Sequence, residues 1–156
     1  MTREEFERLI EEEFENAIPE KFRPHIKNVA FLVEDEPSAQ VRKLEGLHEG
    51  ETLLGYYHGV PYPERGDFYG MGTTMPDTIT LYQKPIEDEA EELLRRQAGE
   101  RGRSRPLGQA LPSFPQPDGS EVLRKVIRET IWHEVAHLFG MGEHEVRQRE
   151  EGRDSM

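Results

Sequence analysis

The stretch TIWHEVAHLFGMGEHE, residues 130–145, constrains this chain more than any other because it holds two histidines four positions apart around a glutamate. In a helix, residues four apart lie about 40° apart around the axis and one turn apart along it, so the rings of His133 and His137 project from the same side. Glu134 is rotated about 100° from His133. The spacing therefore predicts a helix that carries paired imidazoles and an adjacent carboxylate.

Two imidazole nitrogens on one helix face can bind one zinc ion at about 2.0–2.1 Å, and Glu134 would then reach a metal-activated water rather than the metal. The carboxylate could take a proton from that water and hand it to the leaving amine. The alternative is a metal-free amphipathic helix whose rings are simply hydrogen-bonded. We favour the metal site, because a core helix would need a buried partner for each ionisable group.

A third zinc ligand is expected from the protein, since catalytic zinc sites usually have three. The chain contains no cysteine, which excludes thiolate ligands and disulfides and leaves His, Asp and Glu. Gly140 allows a sharp turn out of the helix, and Glu143 and His144 follow it closely. Both side chains are competent zinc ligands, so the chemistry alone leaves both open.

The charge balance bears on partners and location. The chain has 20 Lys and Arg against 32 Asp and Glu, a net charge of −12. A field of this sign repels phosphate backbones and anionic membranes, so we expect no nucleic-acid partner. No apolar run approaches the roughly 18 residues of a membrane span, and the acidic amphipathic N-terminus is unlike a secretory signal. We therefore expect a soluble cytoplasmic protein whose residues 1–156 form a single domain.

Capping signals and apolar periodicity predict the order of elements. Thr2 and Glu5 form a capping-box pattern that opens a helix over residues 3–17. Three apolar segments bounded by turn residues read as strands, at 28–37, 51–62 and 77–86. Further helices are expected at 87–99, 121–139 and 143–150, with an exposed, flexible insertion at 99–120.

These elements predict a compact α+β fold with a small, mostly antiparallel or mixed sheet of three or four strands. The N-terminal helix and the helix of the histidine pair would lie on the same side of the sheet. The opposite face would then be thinly covered, which would favour a homodimer.

The segment HEVAHLFGMGE, residues 133–143, is similar to the extended zincin signature, HExxHxxGxx[DE]. In addition, ETLLGYYHGVP, PDTITLYQKPI and HEVAHLFG occur in this order, as in the minimal zincin-like metallopeptidases of bacteria, relatives of the metzincins. The resemblance covers most of the chain apart from 99–120. It implies a zincin-like fold with His133, His137 and Glu143 as zinc ligands and Glu134 as general base, and so favours Glu143 over His144.

The resemblance also implies a cleft in which an edge strand binds an extended peptide by backbone hydrogen bonds. We expect the strand at 77–86 to take this role. Tyr82, Tyr69 and His58 are candidates to stabilise the oxyanion formed during hydrolysis.

Two functions follow from these observations. The leading one is a zinc-dependent metallopeptidase that hydrolyses amide bonds of a peptide or protein substrate. The alternative is a non-catalytic zinc-binding or interaction module, in which Glu143 and His144 together close the coordination shell.

Overall fold

The computed structural model describes residues 1–65, 76–103 and 119–142. Within these ranges it contains four helices and one three-stranded mixed sheet, which confirms the predicted α+β class. The helices and strands, in chain order, are α1 (Arg3–Ala17), β1 (Val29–Glu34), α2 (Ala39–Leu44), β2 (Gly55–His58), β3 (Asp77–Tyr82), α3 (Gln83–Arg103) and α4 (Gly119–Leu138).

The first helix has the predicted bounds, and it begins at Arg3 because both halves of the capping box form. The Thr2 hydroxyl accepts a hydrogen bond from the Glu5 amide at 3.2 Å, and the Glu5 carboxylate accepts one from the Thr2 amide at 2.8 Å. These bonds satisfy two amides that a helix start leaves without partners. The apolar face then carries Phe6 and Ile10 into the core.

The sheet has the order β1-β3-β2, with β3 parallel to β1 and antiparallel to β2. The prediction that residues 77–86 form the edge strand is therefore wrong. Five of the six residues of β3 are buried, as expected for a strand that is covered on both faces and paired on both sides. Among the described residues, β2 pairs only with β3 and takes the edge position on that side.

Two helix predictions need correction. The third helix begins at Gln83, directly after β3, and extends to Arg103, so it is longer than the predicted 87–99 and includes the start of the predicted insertion. Pro85 lies in its first turn, where a missing amide proton breaks no helical hydrogen bond. Helix α2 was not predicted; the Ser38 hydroxyl caps it by accepting from the Val41 amide at 3.2 Å.

Two other predicted segments fall outside the described residues. They are most of the insertion, at 104–118, and the final helix at 143–150. Both stay predictions, as does the single domain.

Helix α4 lies at the centre of the packing, since it contacts α1, α3 and the sheet. Its apolar face includes Val126, Ile127, Ile131 and Val135, all 2% exposed or less. These side chains share one core with residues from the other helices and from β3: Phe6, Ile10, Ile79, Leu81 and Ile86. Among the helices of the described residues, none combines the length and apolarity that crossing a membrane requires.

An ionic network joins α1 to α4. Glu13 is 4% exposed, and its two carboxylate oxygens accept hydrogen bonds from Arg124 and Arg128, each at 2.9 Å. Burial raises the pKa of Glu13, but the hydrogen bonds from Arg128, Arg124 and Asn16 outweigh it and hold the pKa below its ordinary value. The charged form of Glu13 is thus stabilised by folding.

We predict that Glu13→Gln destabilises the protein near neutral pH by about 1–3 kcal/mol, between the values for exposed and buried ion pairs. Because the pKa of Glu13 is lower in the folded than in the unfolded state, its stabilisation is present above the unfolded pKa and is lost as the pH falls through the folded one. The difference in unfolding free energy between Glu13→Gln and wild type should therefore shrink as the pH falls below the unfolded-state pKa of a glutamate. Urea unfolding at several pH values measures it.

The control is Glu12→Gln, since Glu12 also pairs with Arg124 but is 47% exposed. It should cost at most about 1 kcal/mol. A Glu13→Gln loss that is unchanged between neutral and acidic pH would contradict the electrostatic explanation.

Candidate active-site cleft

A cleft of about 520 Å³ opens between the C-terminal half of α4, the edge strand β2 and the segment 60–65. It brings together His133, Glu134 and His137 as the sequence predicts. Its remaining lining comes from β2, from Leu53 shortly before it, from two loops and from the turn after α4: Gly55, Tyr56, Tyr57, Glu45, Pro61, Pro63, Glu64, Gly140, Met141 and Gly142.

The two histidine rings have a geometry that suits one shared cation. Their centroids are 5.0 Å apart and their planes are inclined at 79°. Two imidazoles bound to one zinc at about 2.0–2.1 Å have ring centres roughly 5 Å apart. Both rings are half-buried and reach the cleft surface. The pair therefore fits a zinc ion without rearrangement of the helix.

A backbone carbonyl orients His137. Its Nδ1 lies 3.2 Å from the Met141 carbonyl oxygen. A carbonyl can only accept, so this hydrogen bond requires the proton on Nδ1, and in a neutral imidazole Nε2 is then the nitrogen with the lone pair. Metal-binding histidines are commonly held in this way, because the bond fixes both the tautomer and the ring orientation.

The Met141 carbonyl is brought back to His137 by the turn that ends α4. Gly140 has φ +81°, and its amide donates to the His137 carbonyl at 2.9 Å. The Met141 amide donates to the Ala136 carbonyl at 3.0 Å, which completes a Schellman motif. The Met141 side chain is buried with Trp132 and Ala136, so this turn is anchored in an apolar cluster.

Glu134 lies where α4 approaches β2 most closely. It is 7% exposed. A Cβ on Gly55 would stand 2.9 Å from the Glu134 Cγ and 3.0 Å from the Thr130 Cγ2, both too short for real contacts. The glycine therefore lets the helix carry Glu134 up to the strand. The sequence signal was a glycine inside a strand, which often marks a close approach.

Tyr56 lines the cleft, and sequence reasoning missed it. Burial raises the pKa of Tyr56, and the carboxylates of Glu45 and Glu134 raise it further.

The three residues predicted to stabilise the oxyanion are not found in the lining of the cleft among the described residues. Tyr82 is 1% exposed and lies outside this lining, with burial raising its pKa to about 12, and His58 is exposed and likewise outside it. Tyr69 lies outside the described residues.

A buried carboxylate fastens the cleft wall formed by residues 60–65. Asp77 is 3% exposed, and its Oδ2 accepts from the Arg65 guanidinium and the Tyr57 hydroxyl, both at 2.6 Å. Burial raises the pKa of Asp77, but these bonds and the Val60 amide hold it below its ordinary value. The wall meets the turn after α4 at Pro63, since a Cβ on Gly140 would stand 2.6 Å from the Pro63 Cγ.

The predicted third ligand, Glu143 with His144 as alternative, lies outside the described residues and stays a prediction. Within residues 1–65, 76–103 and 119–142, no group of three or more His, Asp or Glu side chains is arranged to hold a metal ion.

Residues 26–98, just under half of the chain, match the family model described as zincin-like metallopeptidase, which confirms the resemblance. The matched range runs from before β1 into α3 and ends before His133, so the match and the histidine motif are separate observations. No curated protein matches this chain.

We predict that Gly140→Ala lowers the free energy of unfolding by about 1–2 kcal/mol, because a side chain is strained at this positive φ and would also strike Pro63. Chemical denaturation measures the change. Gly142→Ala is the matched control, since a Cβ there meets nothing within 4 Å. It should change stability by less than about 0.5 kcal/mol. Equal effects of the two substitutions would contradict the account of the turn.

Proposed function

We propose, from the zincin-like match over residues 26–98, that this chain is a zinc-dependent metallopeptidase that hydrolyses peptide bonds in the cleft. The observation that carries the proposal is the pair of rings of His133 and His137, 5.0 Å apart on one helix face, with Glu134 beside them at the cleft surface.

His133 and His137 would hold the zinc ion, with Glu143 as the third ligand and His144 as its alternative. The hydrogen bond between the His137 Nδ1 and the Met141 carbonyl supports this assignment, because it leaves the Nε2 lone pair for a cation. When bound, zinc lowers the pKa of a water molecule and polarises the peptide carbonyl.

Glu134 is the proposed general base. Its carboxylate takes a proton from the attacking water and passes it to the leaving amine. Its position beside β2 favours this role, because the edge strand and the carboxylate border the same cleft. Tyr56 is the proposed donor to the oxyanion, since it lines the cleft beside Glu134 and a tyrosine hydroxyl is protonated at neutral pH.

The proposed substrate is an extended peptide segment that lies along β2. Among the described residues this strand pairs only with β3, so its other edge can offer backbone amides and carbonyls to a peptide. Gly55 and Tyr56 of the same strand line the cleft, which would bring the bound backbone past Glu134.

We predict that Glu134→Gln keeps about one zinc per chain but lowers peptide hydrolysis at least about 100-fold, because the amide cannot accept the proton. His137→Ala should lose both zinc and hydrolysis. Elemental mass spectrometry and cleavage of a peptide library measure the two properties. Glu121→Gln is the control: Glu121 is an exposed glutamate of the same helix, 64% exposed, and its replacement should leave both unchanged.

Three outcomes would contradict parts of this account. Retained hydrolysis in Glu134→Gln would overturn the role of Glu134. A wild type that binds zinc at these histidines but cleaves no peptide would favour the non-catalytic module with a closed coordination shell. Wild type without zinc, even after incubation with the ion, would leave an ordinary helix with two hydrogen-bonded histidines.

A further inference from the structure

A second cavity, of about 310 Å³, lies on the other side of the His133–Glu134 pair. It shares four lining residues with the cleft: Leu53, Gly55, His133 and Glu134. The candidate catalytic carboxylate thus borders two spaces, one toward the C-terminal end of α4 and one toward α3. A substrate crossing Glu134 could extend into both.

The second cavity combines apolar walls with two carboxylates. The side chains of Leu54, Leu93 and Val126 line it, and Glu89 of α3 and Glu129 of α4 border it from different helices. No lysine or arginine of the described residues lines either cavity. The walls therefore suit an aliphatic chain, and the two carboxylates suit a positive charge.

Of the two carboxylates, Glu89 gives the stronger indication of a cationic ligand. It is half-buried, and it has no hydrogen bond or ion pair with another described residue. A partly desolvated carboxylate is costly unless a cation compensates it. Glu129 borders the same cavity and is about half exposed, with Lys125 at 3.7 Å. A cation bound in the cavity would compensate Glu89 and would also lie near the negative charge of Glu129.

We propose that this cavity is a specificity pocket for a lysine or arginine side chain of the peptide substrate. The aliphatic part of such a side chain would pack against Leu93 and Val126, and its charged end would reach Glu89 and Glu129. The overall charge of −12 would also attract basic peptides. This inference rests on the proposed function, because it names the substrate class of the same site.

The test uses the zinc-loaded full chain and sets of peptides that are identical except for Lys, norleucine or Glu at one position, scanned along the peptide. Norleucine keeps the aliphatic chain of lysine without its charge. We expect wild type to prefer Lys over norleucine at one position by at least about 10-fold in kcat/KM. Glu should be the worst of the three at that position.

The double variant Glu89→Gln with Glu129→Gln should reduce the Lys preference to within about 2-fold, since the charged acceptors are gone but the walls remain. The norleucine peptide should be cleaved at the wild-type rate. Glu91→Gln is the matched control: Glu91 lies on α3, is 62% exposed and pairs with Arg95. Its replacement should leave the preference for Lys intact.

Binding of the same peptides to Glu134→Gln, measured by fluorescence anisotropy, separates the two proposals. Hydrolysis by wild type with no preference for Lys would overturn the pocket and leave the peptidase. Preferential binding of the Lys peptide without any hydrolysis, lost when Glu89 and Glu129 are also replaced, would support the pocket and overturn the peptidase. Binding without preference and without hydrolysis would overturn both.

Discussion

The close contact between α4 and β2 is the constraint on which the candidate site depends. Gly55 has no side chain, and this leaves room for Thr130 and Glu134 against the strand. A Cβ on Gly55 would stand only 2.9 Å from the Glu134 Cγ and 3.0 Å from the Thr130 Cγ2. Any larger residue would push the helix away from the sheet edge. The same helix is packed against α1 and α3, so the positions of its two histidines follow from how it lies on the whole core.

The buried and half-buried carboxylates of this chain fall into two groups. Glu13 and Asp77 are 4% and 3% exposed, and each accepts several hydrogen bonds that lower its pKa. Glu13 ties α4 to α1, and Asp77 fastens the wall of the cleft. Glu134 and Glu89 instead border cavities. The first two hold the scaffold in position, and the second two are the carboxylates to which we assign roles in catalysis and substrate binding.

The features that the sequence could predict are those that depend on residues close together along the chain. The start of α1 follows from its capping box, and the common face of His133 and His137 follows from their spacing in a helix. The end of α4 near Gly140 could also be predicted, because glycine is common at the position directly after a helix. Sheet order is non-local, so the residues of the strand predicted at 77–86 do not tell an edge strand from the central strand that Asp77–Tyr82 forms.

The finer parts of the site depend on that non-local order. Tyr56 belongs to the cleft only because β2 is the edge strand beside α4, and Glu89 reaches its cavity only because α3 packs against α4. The strand predicted at 77–86 ends at Tyr82, and its last four residues, including Pro85, form the first turn of α3. The third ligand was predicted from the resemblance, and Glu143 stays a prediction.

The central claim is that His133 and His137 hold a catalytic zinc ion beside Glu134. Diffraction from zinc-loaded crystals at wavelengths on either side of the zinc absorption edge tests it most directly. The account predicts one strong anomalous peak per chain within coordination distance of both imidazoles, with Glu143 or His144 completing the protein ligands. A peak elsewhere on the acidic surface, or none in the cleft at saturating zinc, would contradict it.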